Sequence, residues 1–144
     1  MEEVDPGKNV CVIGGGLVGC ELAMWLQDKG IKATIIEALP KLLAVNGPLC
    51  HANSEMLERL VPFKGIEIKP NVTAKQYSDG VLTLSNGERV VADSVVLAVG
   101  YKEKNDLYAQ LEDFSGSLHL IGDSRKVANI MYAIWDAFEV ASTL

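Results

Sequence analysis

"VCVIGGGLVGCELA", Val10 to Ala23, sets three consecutive glycines between an apolar run and a helical one. The apolar run begins one residue earlier, as "NVCVIG", β-rich and closed by glycine, the pattern of a short buried strand. From Leu17 to Lys29 the only glycine is Gly19, good helix formers follow it, and Gly30 stands where a helix C-terminus favours glycine. "KATIIE", Lys32 to Glu37, reads as a second strand. Strand, helix and strand together fill about thirty residues, the size of a right-handed parallel crossover.

Within that unit the loop Gly14-Gly15-Gly16-Leu17-Val18-Gly19 matches G-x-G-x-x-G. The bare match is weak, but here a strand precedes it, a helix follows it and an acid ends the next strand. Gly14 permits the tight turn, Gly16 lacks a Cβ and lets a pyrophosphate approach the backbone, and Gly19 lets helix pack on strand. The free N–H groups of the first helical turn and the helix dipole then form an anion site. The alternative is a turn with no ligand. Glu37, at the end of the second strand, is placed to accept hydrogen bonds from the adenosine ribose hydroxyls and to repel a 2'-phosphate. Its alternative is a solvated strand-end acid. No arginine follows it and Lys41 lies beyond Pro40, so NAD(H) is expected over NADP(H). Glu21 reads as an acid in the first helical turn, with Leu22, Trp25 and Leu26 turned toward the sheet or a neighbouring layer.

Downstream, "ALPKLLAVNGP" is broken by Pro40, Gly47 and Pro48 and reads as a loop. A helix is expected from about Leu49 to Phe63, with Met56, Leu57, Leu60 and Val61 as its apolar stripe, ended by Gly65. "IEIK" is a third short strand. "VTAKQY", "VLTLS" and "RVVA" are then separated by Asp79-Gly80 and Asn86-Gly87, two hairpin signals that make an antiparallel meander. "SVVLAVG", Ser94 to Gly100, is continuously apolar and returns to the parallel sheet. A short helix over 106–111, a strand over 118–123 and an amphipathic helix over 127–141 complete the reading. The fold class is therefore α/β, a Rossmann-like parallel sheet of βαβ units with a three-stranded meander as third layer.

Composition narrows the function. The chain has 144 residues, about half of them apolar, with no run of membrane-spanning length. "MEEVDPGKN" carries no secretory pattern, and a net charge of −6 with interspersed signs argues against nucleic acid or an anionic membrane as the main partner. Cys11, Cys20 and Cys50 form no CxxC pair, which points to a reducing, cytoplasmic setting. Cys11 and Cys20 read as small buried hydrophobes. His51 beside Cys50 is the one Cys–His neighbour pair, too few ligands for a structural metal site, so no metal is expected. No Ser/His/Asp or Cys/His set suggests hydrolysis, and no catalytic residue is assigned.

The whole order of elements resembles the NAD(P)-binding domain of the two-dinucleotide-domain flavoprotein reductases. Within them, "VIGGGLVGCELAMWLQDKGIKATIIE", "LLA" after the acid, "AVGYKEKNDLY" and "LIGDSRKVANIMYAIWDAFEVA" are most similar to the C-terminal region of the NADH:flavin oxidoreductases, the group of 2,4-dienoyl-CoA reductase, enoate reductases and trimethylamine dehydrogenase. The likeness runs from about Lys8 to Ala141. It implies an NAD(P)-binding domain over 8–100 and, over 101–144, a return segment of an FAD-binding domain of which the chain holds only part. It also implies that Gly122 and Asp123 contact FAD, that Glu21 lies near the nicotinamide, and that Gly100 lets the backbone pass close to the dinucleotide. Trp135-Asp136-Ala137 stands where the family usually has His-Glu-Gly, so no role of that histidine carries over.

The resemblance implies a parent enzyme in which NADH reduces FAD and electrons pass through an iron–sulfur cluster to FMN. An activated alkene or related compound is then reduced. The barrel carrying FMN and the cluster, and the loop holding the ADP half of FAD, are not in this sequence, so the chain alone is expected to dock NADH without turnover. Its partners would be NADH and the rest of the flavoenzyme. Two alternatives stand beside this one: a free-standing NAD-sensing module, and the NAD domain of a disulfide or ferredoxin reductase. In the last helix Ile130, Ile134, Phe138 and Ala141 form one apolar stripe and Met131, Tyr132 and Trp135 a second. A helix apolar on two sides wants cover on both, which disfavours the sensor and allows self-association through that helix.

Overall fold

The computed structural model describes residues 4–44 and 51–144. Alternation along strand β1 (Asn9–Ile13) sends Val10 and Val12 to one face of a sheet and Cys11 and Ile13 to the other, and the chain builds a layer on each. β1 pairs in parallel with β2 (Lys32–Ile36) and β7 (Ser94–Leu97), and β2 with β3 (Glu67–Lys69), giving the order β3-β2-β1-β7. Helices α1 (Leu17–Asp28) and α2 (His51–Phe63) cover the first face, where Cys20, Ala23, Leu26, Leu57 and Val61 meet Val10, Val12 and Ile35. The second face carries the meander β4 (Ala74–Ser78), β5 (Val81–Leu84) and β6 (Arg89–Val91), whose Leu82 and Leu84 pack with Cys11 and Ile36. The expected three-layer α/β arrangement is what these residues form.

Both helices stop by the same device. After α1, Gly30 has φ 75°, its N–H donates to Gln27 O, and Ile31 N–H reaches back to Leu26 O. After α2, Gly65 (φ 71°) and Ile66 repeat these bonds on Pro62 and Val61. This six-to-one closure satisfies carbonyls the helix leaves open, and glycine adopts the left-handed turn at no steric cost. The hairpins follow their sequence signals. Asp79 and Gly80 both have positive φ, as a tight two-residue turn requires, and the Asn86 carboxamide accepts from Glu88 N at 3.0 Å. Lys69 ties the layers together, pairing with Glu67 at 2.9 Å and with Glu88 of the meander.

The chain forms two compact units, 1–100 and 101–144. The second contains α3 (Asp106–Gln110), a single 3-10 turn over Gly122–Ser124, and α4 (Ile130–Ala141). No residue in it is buried.

Several expectations are corrected. The strand over 118–123 does not form: Ile121 has extended dihedrals, but a strand exists only as part of a ladder and none of the described residues pairs with it. α4 begins at Ile130, because the Asn129 side chain accepts from Tyr132 N at 3.2 Å and fixes the cap there. β7 ends at Leu97, opposite Ile13, because Gly14 turns β1 out of the ladder at that point. Trp25 is 55% exposed, on the flank of α1, with the Lys29 ammonium 5.9 Å from its ring centroid. Met56 is also exposed, since Leu57 and Val61 take the inward stripe. The expected start of α2 at Leu49, and Cys50, lie outside the described residues. Cys11 and Cys20 are both buried free thiols, as expected.

A glycine loop braced by Glu37 and Leu43

β1 ends at the point where the strand order turns: β2 and β3 lie on one side of it and β7 on the other. In open α/β sheets the crevice beyond the strand C-termini at such a switch is where ligands bind. Gly14 opens the turn with φ 105°, its N–H donates to Ile36 O at 2.8 Å, and a Cβ there would overlap the Ala98 carbonyl oxygen. Gly19 is buried in the first turn of α1, and a Cβ there would overlap the Gly14 carbonyl oxygen. A Cβ on Gly15 would press on Leu42 and Glu37. Backbone atoms of the protein thus require Gly14 and Gly19, and Gly15 faces the ends of the Leu42 and Glu37 side chains.

Gly16 differs. It has φ −75° and ψ −171°, values any residue adopts, and a Cβ on it would meet no atom within 4 Å. It is the N-cap of α1 and supplies no side-chain cap, while its carbonyl accepts the first helical bond from Cys20 N at 3.0 Å. The N–H groups of Leu17, Val18 and Gly19 therefore belong to a helix start with no capping side chain, the arrangement that receives an anion. Leu17 packs on the core and Val18 is exposed.

Glu37 is buried rather than solvated, and both its oxygens are engaged. Oε2 accepts from Gly15 N at 2.5 Å and Oε1 from Leu39 N at 2.7 Å. Each carboxylate oxygen has a second lone pair, so the group keeps capacity for two hydroxyl donors in a fixed orientation. Lys41 is drawn to Glu58 of α2, 3.6 Å away. Glu21 is not in the first turn: α1 starts at Leu17, so its first turn ends at Cys20 and Glu21 opens the second, exposed. Cys20 sits beneath the loop, its thiol pushed up to about 12 by burial first and then by Glu37, Glu21 and Glu58, so it stays a protonated donor. Its Sγ is 3.4 Å from Gly15 O. Gly100 lies three residues beyond β7 with φ 86°, exposed.

Gly122 and Asp123 lie in the second unit. Gly122 has φ 60°, and its N–H donates to Asp136 Oδ2 at 3.1 Å, while Arg125 pairs with Asp136 Oδ1 at 2.9 Å. Asp123 is exposed, accepts from Ala128 N at 3.2 Å, and lines a recess of about 440 Å³ with the first turn of α4. The structure therefore gathers Gly14 to Gly19 with Glu37, while Gly122 and Asp123 belong to the second unit. Sequence reading missed Leu42, which packs against Gly15, Leu43, whose N–H donates to Gly15 O at 2.8 Å, and Asp136. The visible signal for the first two was an apolar pair inside a loop otherwise rich in proline and glycine. Among the described residues no three His, Cys, Asp or Glu form a metal-binding group, and no helix is long and apolar enough to cross a membrane.

The family described as pyridine nucleotide-disulphide oxidoreductase matches residues 1–118. A cinnamate reductase of Clostridium sporogenes is 46% identical over all of this chain, and an NADH oxidase of Thermoanaerobacter brockii 34% identical over 95% of it. A solved 2-naphthoyl-CoA reductase superposes with a TM-score of 0.78 over 98% of this chain at 24% identity, a likeness of fold. The chain spans about a fifth of the length of these relatives (22%, 21% and 22%).

Proposed function

Because the chain belongs to the pyridine nucleotide-disulphide oxidoreductase family, we propose that it is the NADH dock of a larger flavin-dependent oxidoreductase of the enoate-reductase kind. One observation carries the reading: Gly16 alone among the loop glycines has no protein atom within 4 Å of where a Cβ would stand, and its missing side chain leaves room at the helix start. A pyrophosphate filling that room accounts for the glycine.

Gly14 to Gly19 hold the pyrophosphate and Glu37 holds the adenosine ribose. With Lys41 drawn toward Glu58, no unpaired cation among the described residues of this loop favours a 2'-phosphate, so NADH is preferred to NADPH. Glu21 and Gly100 flank the nicotinamide half. NADH held by these residues would supply a hydride for a flavin in the complete enzyme. FMN and an iron–sulfur cluster lie outside this chain, and the reduced substrate is an activated alkene, in keeping with the 46% identical relative named as a cinnamate reductase. Residues 8–100 form the NAD-binding domain and 101–144 a return segment of the FAD domain, in which Gly122 and Asp123 face FAD. The exposed apolar residues of α4 favour this assignment over a free-standing sensor, since a helix with Ile130, Ile134 and Phe138 in solvent requires cover. Buried free thiols fit a reducing, cytoplasmic setting.

Titrating the chain with NADH and with NADPH tests this. NADH binding with NADPH weaker is expected. Binding of neither at millimolar concentration overturns the dock, and equal affinities overturn the role of Glu37.

A further inference from the structure

The loop after β2 folds back over the glycines. Leu42 and Leu43 are buried in it, and Leu43 has φ 56°, a left-handed conformation that is costly for a residue with a side chain. That conformation has a consequence at the helix start. Leu43 N–H donates to Gly15 O at 2.8 Å, and the Cys20 thiol approaches the same oxygen from beneath. Gly15 N–H is held by Glu37 in turn. The peptide joining Gly15 to Gly16 is trans and planar, so its C=O and N–H point in opposite directions. Fixing the Gly15 carbonyl toward Leu43 therefore fixes the Gly16 N–H away from it, on the side opposite the strap.

We propose that Leu43 is a positioning residue for dinucleotide binding: its left-handed backbone anchors the Gly15 carbonyl and so aims the Gly16 N–H at the pyrophosphate. This rests on the reading of the loop as an NADH dock and adds to it a residue outside the glycine motif. This loop acts through its main chain, and the buried leucine side chain contributes to stability rather than to the aim of the Gly16 N–H.

Two substitutions separate backbone from side chain. Glycine adopts the left-handed conformation freely but deletes the whole apolar side chain, whereas valine keeps most of the side chain and, being β-branched, resists the conformation. The full chain and its Leu43→Gly and Leu43→Val variants are titrated with NADH, with melting temperatures recorded alongside. Leu43→Val should weaken NADH about tenfold by depopulating the aimed state, and Leu43→Gly by less than about threefold despite a larger fall in melting temperature. Equal losses, or the reverse order, would assign Leu43 to packing and overturn the proposal. Absence of NADH binding by the unaltered chain would overturn the dock itself. If Leu43→Val does not fold, amide exchange of the unaltered chain decides: Leu43 N–H should be protected, and exchange at the unstructured rate overturns the anchoring bond.

Discussion

Up to Gly100 the chain buries Ile35, Ile36, Leu57 and Val61 almost completely, whereas from Tyr101 onward it buries nothing, although α4 is the more apolar in pattern. The difference is one of layers. β1 presents apolar residues on two faces and the first unit supplies helices for one and a meander for the other. α4 also presents two apolar faces, and its own unit covers neither. Apolar patterning marks a surface to be buried; a core requires a second surface opposite it.

The contrast can be broken most forcefully at Gly19. Gly19→Ala drives a Cβ into the Gly14 carbonyl, a backbone atom that cannot swing aside. Thermal unfolding should show a loss of about 4 kcal/mol or more, the range reached only by severe clashes. Next comes a matched pair of truncations. Leu57→Ala, at a residue 1% exposed, should cost about 3 kcal/mol, and Ile130→Ala, at 79%, less than about 0.5 kcal/mol. Similar losses at both sites would show that the second unit has a core of its own.

These elements differ in how legible they were in the sequence. β1, the glycine loop, α1 and β2 could be read because each is specified locally, by alternation, by a cap glycine or by the acid ending a strand. The meander could be read because Asp79-Gly80 and Asn86-Gly87 encode their own turns. The segment 118–123 was misread because an apolar run specifies a strand only where a neighbour offers a ladder. Trp25 and Met56 were misplaced because an apolar stripe in sequence spans more of the helix than the core accepts. The site was legible in its glycines and Glu37, but not in its bracing. The Leu43-to-Gly15 bond and the Asp136-to-Gly122 bond join a side chain or amide to a backbone atom distant in sequence, and no residue pattern announces them.

Two smaller effects sharpen the account of the first unit. Glu37→Gln leaves one oxygen where two backbone amides now find acceptors, and removes the charge proposed to oppose a 2'-phosphate. Parallel titrations should show the preference for NADH over NADPH falling about tenfold, as expected for loss of one charge-assisted contact. An unchanged ratio would place selectivity elsewhere. The smallest effect concerns Asp93, whose Oδ2 accepts from Lys8 N and Asn9 N, both at 2.8 Å. The Asn9 amide, then the Lys8 amide, hold its carboxyl below the ordinary value of 3.8. A carboxyl depressed in the fold stabilises it fully above its unfolded value and loses that contribution as pH falls through the folded one. Melting temperature should therefore drop less between pH 6 and pH 3 in Asp93→Asn than in the unaltered chain, and an identical drop would remove Asp93 from the acid response.

The central claim is that Gly16 is a glycine for the ligand and not for the fold. Gly16→Ala tests it directly, because the backbone there is ordinary for alanine and the added Cβ meets no protein atom. The account predicts a melting temperature within about 3 °C of the unaltered chain and NADH binding weakened at least about tenfold by the methyl group at the pyrophosphate. Unchanged NADH affinity in Gly16→Ala would contradict it.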